Sequence, residues 1–220
     1  MNFVPLWVSL KLAFLTTLIL AVIGIPIASW LATARFRGKG IIEAILALPL
    51  VLPPTVLGFY LLLATGPLSF TGRMIERVTG ATLPFTFTGI LLASVIFNLP
   101  QSIRPFTVAF TLIDPKLREA AWCLGASRWK TFRKISIPLA SPGILAGMAL
   151  TFAHSLGEFG VILMMGGNIP GVTRTLSIAI YDDVQALDYR AAAVTSWWML
   201  GISFTILLLM QRLQRRGTEA

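Results

Sequence analysis

Two ionisable side chains four residues apart, His154 and Glu158, stand in a stretch otherwise free of charge, FAHSLGEFG (152–160). On a helix that spacing puts both on one face and permits direct contact. They could work as an acid–base pair, or they could satisfy each other in a structural hydrogen bond. The first use calls for a third catalytic group or a ligand cluster nearby, and the sequence supplies none. One cysteine, Cys123, and one histidine exclude a disulfide framework and make a zinc site implausible. Cys123 reads as a small packing residue. Neutral hydrogen-bonding side chains recur in apolar surroundings at Ser94, Asn98, Gln101, Thr151 and Ser155. Arg104 is the one cation well inside such a segment, where it either snorkels and pairs structurally or serves a pathway.

The elements that must position these groups belong to a membrane. Hydrophobic residues make up 56% of the chain and charged residues 12%, against roughly 25% charged in a soluble domain. That composition excludes a soluble enzyme and a disordered chain. The net charge of +9 does not point to nucleic acid, since no solvated basic domain exists to carry it. A bilayer core of about 30 Å needs about 20 apolar residues in a helix. Apolar runs of that order predict five spans, near 12–34, 44–65, 86–111, 139–165 and 191–211, or six if one is hidden. The whole of 1–220 reads as one all-α integral membrane domain. Arg35, Arg37, Lys39, Lys116, Arg118, Arg128, Lys130, Arg133, Lys134, Arg212, Arg215 and Arg216 fall in the connections of one side. The opposite connections hold only Arg73, Arg77, Arg174 and Arg190, with Lys11 at the start of the first span. The positive-inside bias therefore puts the N-terminus outside and the C-terminus in the cytoplasm. Only Lys11 precedes the long first run, so an uncleaved span fits better than a signal peptide. Pro26, Pro49, Pro53, Pro54, Pro100, Pro105, Pro138 and Pro142 punctuate the spans. They either kink an ordinary bundle or mark broken helices beside a pathway. Trp197 and Trp198 suit a headgroup belt or helix packing.

The cytoplasmic connection 113–138, IDPKLREAAWCLGASRWKTFRKISIP, reads as two short helices. Asp114 is a good N-cap and Pro115 a good first helical residue. Leu117, Ala120, Ala121 and Leu124 share an apolar face. Gly125 is placed to end the helix in a left-handed conformation, and Ser127 to cap a second helix. A basic amphipathic segment of this kind can lie on anionic lipid. A face of small residues beside one carboxylate, Glu119, fits a protein groove better, because alanine offers little area to lipid but allows close backbone approach.

Glu119-Ala120-Ala121, Gly125 after three residues, and then Ile135, Ile137 and Pro138 resemble the cytoplasmic loop of bacterial ABC importer permeases; the departure is Ile137, where that family usually has Leu. The resemblance implies a type I importer permease fold, with the loop acting as a coupling helix seated in a cleft of an ATP-binding subunit. Glu119 would then pair with a basic group of the ATPase, Ala120 and Ala121 would form the close-packing face, and Gly125 would make the turn. No G-x-x-x-x-G-K-[ST] phosphate loop occurs in the chain, so ATP and Mg would be held by the partner and no cofactor by this chain. FAHSLGEFG with GGNIPGVTRT (166–175) is more similar to the molybdate permeases than to the sulfate or tungstate group. That resemblance implies a homodimer importing an oxyanion by alternating access, with two ATP-binding subunits and a periplasmic molybdate-binding protein. A dianion in transit needs donors without many fixed cations, or it would bind too tightly to leave; Ser94, Asn98, Gln101, Arg104, Thr151 and Ser155 are candidates. Glu158 would repel an anion, which favours a structural or gating place for it. A membrane-embedded enzyme using His154 and Glu158, or a stand-alone channel, would leave the 113–138 loop unexplained.

Overall fold

The computed structural model describes residues 3–218, which form helices and connections with no strand among the described residues. In chain order the helices are α1 (Val4–Thr33), α2 (Lys39–Val51), α3 (Pro54–Thr65), α4 (Phe70–Thr79), α5 (Phe87–Thr111), α6 (Pro115–Cys123), α7 (Arg128–Thr131), α8 (Ile137–Leu156), α9 (Gly160–Gly166), α10 (Leu176–Gln185) and α11 (Tyr189–Thr218). A π turn, Phe132–Ser136, fuses α7 to α8. The side chains of Arg215 and Arg216, counted above for orientation, lie outside the described residues.

The first and last predicted spans correspond to α1 and α11, and the third to α5. α1 begins earlier than expected, so Lys11 lies within it, its Nζ 4.4 Å from the centre of the Phe87 ring. The second span is not straight. It is α2 and α3, meeting at 109° across Leu52 and Pro53. Successive prolines explain the break: each lacks an amide donor, and each forces the residue before it toward extended backbone. Leu52 and Pro53 have ψ of 136° and 135° accordingly. The fourth span is also divided, into α8 and α9, at Gly157–Phe159. Among the described residues three helical runs are long and apolar enough to cross a membrane by themselves, and the bent α2–α3 pair makes a fourth if it is one span. α5 is not among them, because Asn98, Gln101 and Arg104 lower its hydropathy. It nevertheless runs through the centre of the bundle, packed on α1, α2, α8 and α9.

Small residues set these contacts, as expected where lipid gives helices no hydrophobic drive to associate. A Cβ on Gly147 of α8 would stand 2.7 Å from the Phe106 ring of α5, and one on Gly143 2.5 Å from the Ala109 Cβ. The buried side chains form two apolar clusters. One, around Phe106 and Phe110, joins the loop-side halves of α1, α5 and α8. The other, around Ile90, Val161, Ile162 and Met165, joins the opposite halves of α1 and α5 to α9 and α10. On α1, α5 and α8 most buried polar residues fall between the clusters: Thr16 and Thr17, then Ser94, Asn98 and Ser102, then Thr151 and Ser155 with Glu158 just beyond; Ser9 of α1 is the exception, set among the second cluster.

Candidate functional sites

Three places gather the residues with chemistry: the polar layer at the α8–α9 break, the loop 113–138, and the loop that follows α9.

At the break, α8 ends at Leu156, so His154 and Glu158 do not share a helical face, and the direct contact expected between them is absent. Asn98 bridges them instead. Ser94 Oγ donates to Glu158 Oε2 at 2.7 Å, and Asn98 Nδ2 donates to the same oxygen at 3.2 Å. Asn98 Oδ1 lies 2.9 Å from His154 Nδ1, which must carry the proton of that bond. Glu158 is 5% exposed, and its Oε1 has no hydrogen-bond partner. The carboxyl group thus ties the break in the fourth segment to the middle of α5.

The candidate pathway residues divide. Ser94, Asn98, Thr151 and Ser155 are buried inside the bundle. Thr151 spends its hydroxyl on the Gly147 carbonyl one turn back, at 2.8 Å. In this conformation none of the four faces an open passage. Gln101 is half-buried and Arg104 exposed. Arg104 lines a cavity of about 380 Å³ between α1, α2 and α5, together with Glu43, Thr107 and Pro100.

The 113–138 loop is built as its sequence indicates at its start and turn. The Asp114 carboxylate accepts from the Lys116 amide at 2.9 Å. Gly125 has φ of 79° and donates to the Trp122 carbonyl, while the Ala126 amide donates to the Ala121 carbonyl. The Ser127 hydroxyl accepts from the Lys130 amide. The second helix is not separate, however. α7 passes through the π turn into α8, so Arg128–Leu156 is one run of helix. Pro138 supplies the reason: it has no amide hydrogen to give Lys134, and its ring crowds that carbonyl. The widened turn, with the Ile137 amide on the Phe132 carbonyl, accommodates both. Phe132 stacks on Phe110 of α5 at 6.1 Å and anchors the loop to the bundle.

The small-residue face splits as well. Ala121 is 7% exposed and packs inward. Glu119, Ala120, Leu117 and Leu124 are exposed, and Glu119 makes no ion pair among the described residues. Cys123 is exposed, not the packing residue anticipated. Ile135 and Ile137 are half-buried beside the π turn, and Pro138 is exposed.

The third place was not singled out residue by residue from sequence. Arg174 Nε donates to Asn168 Oδ1 at 2.6 Å and its guanidinium pairs with Asp182 at 2.9 Å. Asn168 Nδ2 also donates to Asp182, at 2.6 Å. This clasp folds 166–175 onto α10, and the Leu176 amide reaches Ser9 Oγ of α1. An arginine and an aspartate next to a glycine-rich stretch were the available signal; their meeting depends on the turn between them.

A bundle with broken second and fourth segments, a central polar helix and an exposed loop helix is the fold of type I ABC importer permeases. A bacterial ABC transporter that imports the acidic polysaccharide alginate matches with TM-score 0.79 at 17% identity, over 97% of this chain and 79% of that one. The inward-facing MetNI methionine ABC transporter matches with TM-score 0.75 at 18% identity, over 97% and 94%. These likenesses concern the fold. Sequence goes further: over residues 24–217 the chain belongs to the family of binding-protein-dependent transport system inner membrane components. It is 47% identical, over 94% of its length and 92% of the relative's, to the molybdenum transport system permease protein ModB of Azotobacter vinelandii. To a putative molybdenum transport system permease protein, YvgM, of Bacillus subtilis it is 39% identical over 99% and 94%. A probable sulfate transport system permease protein of Anthoceros angustus is 35% identical over 92% and 70%.

Proposed function

We propose that the chain is the permease subunit of an ATP-driven importer of molybdate. The observation that carries this reading is the similarity to molybdenum permeases over nearly the full length of both chains, stronger than that to the sulfate permeases. Sulfate and tungstate are the competing cargoes. Two copies related by a two-fold axis would enclose the path, each joined to an ATP-binding subunit that holds ATP and Mg, with a periplasmic molybdate-binding protein delivering substrate. The N-terminus is periplasmic and the C-terminus cytoplasmic in this reading.

The work of this chain is to convert movement at α6 into movement of the spans. Glu119, Ala120, Leu117 and Leu124 offer an exposed face to the ATPase. Phe132 and the unbroken α7–α8 run carry its displacement toward the break at Glu158. Closing of the ATPase dimer draws the two α6 helices together and turns the path from inward- to outward-facing. Arg104 and Gln101, at the loop-side half of α5, are the groups placed to meet a dianion near its exit; Arg104 supplies charge without a second cation to trap it.

Uptake by the reconstituted complex, with molybdate, tungstate and sulfate in competition, tests the proposal. ATP-dependent uptake of labelled molybdate that excess sulfate leaves intact is expected. Uptake displaced by equimolar sulfate would assign the chain to the sulfate group.

A further inference from the structure

The connection between the second and third membrane segments contains α4, a ten-residue helix whose outer face nothing in the protomer covers. Phe70, Met74 and Val78 form a stripe at i, i+4 and i+8, and they are 72%, 52% and 83% exposed. On a helical projection Gly72 and Ile75 face the bundle, Arg73 and Arg77 flank the stripe on the side away from it, and Glu76 lies opposite. Such a helix, apolar below, basic at one flank and acidic on top, has the distribution of one lying in a membrane interface. A docking face for a soluble partner would have no need to place both arginines beside the apolar stripe.

The height of α4 is fixed by its attachments. Gly72 is pressed against the end of α3: a Cβ there would lie 2.0 Å from the Gly66 carbonyl oxygen. Ser69 and Thr71 both donate to the Ala64 carbonyl in the last turn of α3. At its other end Gly80, with φ of 72°, stops the helix, and α5 starts at Phe87. Helix α4 therefore sits level with the ends of two membrane segments, opposite the 113–138 loop. At about 15 Å it is too short to cross and too tightly tethered to rise far from the surface. Leu63 in the last turn of α3 and Leu68 in the connection to α4 are exposed apolar side chains too.

We propose that α4 is a membrane-surface helix, with Phe70, Met74 and Val78 buried at the headgroup–acyl boundary and Arg73 and Arg77 bound to lipid phosphates. Anchored so, it fixes the bent α3 against the bilayer while α5 and α8 move, and it leaves Glu76 facing water.

The test uses the complete transporter in vesicles of three parts phosphatidylethanolamine to one part phosphatidylglycerol. Cys123 is replaced in C123S so that labels attach only at introduced cysteines; because it lies on the exposed side of α6, the uptake of C123S itself is the reference for every labelled variant. A nitroxide is then attached at V78C, M74C or E76C in turn. Collision with oxygen should exceed collision with a water-soluble nickel chelate severalfold at positions 78 and 74, and the order should reverse at 76. Adding the soluble binding protein should leave positions 74 and 78 unchanged. Three results would overturn the proposal: nickel contact at 78 equal to that at 76; protection of 78 only after the binding protein is added; or equal immobilisation of 78 in lipid-free polymer, which would assign the face to another subunit. R73Q with R77Q should lower oxygen contact at 78, more strongly with phosphatidylglycerol present than in neutral phospholipid vesicles.

Discussion

Glu158 is a buried carboxyl group with two donors on one oxygen and none on the other. Truncation would leave the Ser94 hydroxyl without its carboxylate acceptor, while Asn98 Nδ2 would keep only its bonds to Ser94, at a cost of about 1–3 kcal/mol for a buried polar group left unpaired. Glu158→Ala should therefore lower thermal stability in detergent clearly, while Glu158→Gln, which keeps an oxygen for both donors, should lose much less. Equal losses would mean that the network is not what holds α5 to the break. Gly125 presents a different case, since a Cβ there would meet no atom within 4 Å. Only its φ of 79° opposes substitution, by roughly 1 kcal/mol or more, and β-branching adds to that. Gly125→Val should insert and assemble as membrane protein but lose transport-coupled ATP hydrolysis. Gly125→Asn should stay nearest to wild type, since Asn tolerates the left-handed region. Wild-type coupling in Gly125→Val would remove the tightly fitted turn from the mechanism and return the loop to the lipid surface.

At the scale of elements, helices are held by close approach. Gly147→Val would push a side chain into Phe106, and overpacking of this kind costs about 1–3 kcal/mol. Destabilisation with unchanged ATPase binding is expected in a thermal-shift and pull-down pair, whereas lost binding alone would place Gly147 in a signalling role. The broken segments bear on topology too. Helices α4 and α10 are ten residues each, about half the length a crossing requires. Reporter fusions after Thr79 and near Asp183 should therefore be periplasmic, and those after Lys39, at Ser127 and after Arg216 cytoplasmic. A cytoplasmic reporter near Asp183 would mean that the spans are miscounted and a sixth is hidden; a cytoplasmic reporter after Thr79 with a periplasmic one at Ser127 would mean that α2 and α3 turn back without crossing.

For the assembled transporter the telling contrast lies between two neighbours. Ala120 is exposed and Ala121 buried against its own chain. Ala120→Leu should leave the permease as stable as before and weaken capture of the ATP-binding subunit. Ala121→Leu should destabilise the permease, and any loss of capture should follow from that. If Ala120→Leu captures the ATPase normally, the exposed face of α6 is not the contact surface. The loop's two alanines were legible in sequence as one close-packing face; the protein uses one for itself.

What sequence determined rests on local rules. A helix in lipid must satisfy its own backbone, so long apolar runs gave the spans. Caps and left-handed glycines act within a turn, so Asp114, Gly125 and Ser127 could be placed from their neighbours alone. The break at Pro53 was visible as a residue but not as an angle, because proline removes a donor without saying whether packing bends the helix or widens it; the break at Gly157, inside the predicted span 139–165, was not marked. At Pro138 the result was a π turn and continuity; at Pro53 and Pro54 it was a 109° bend. Tertiary structure alone decided that His154 and Glu158 would meet through Asn98, some sixty residues away. It also decided that Arg174 would find Asp182, and that most of the candidate pathway donors would turn inward. Those outcomes depend on which faces of α1, α5 and α8 press together, and a buried polar group takes whichever partner that packing brings within reach.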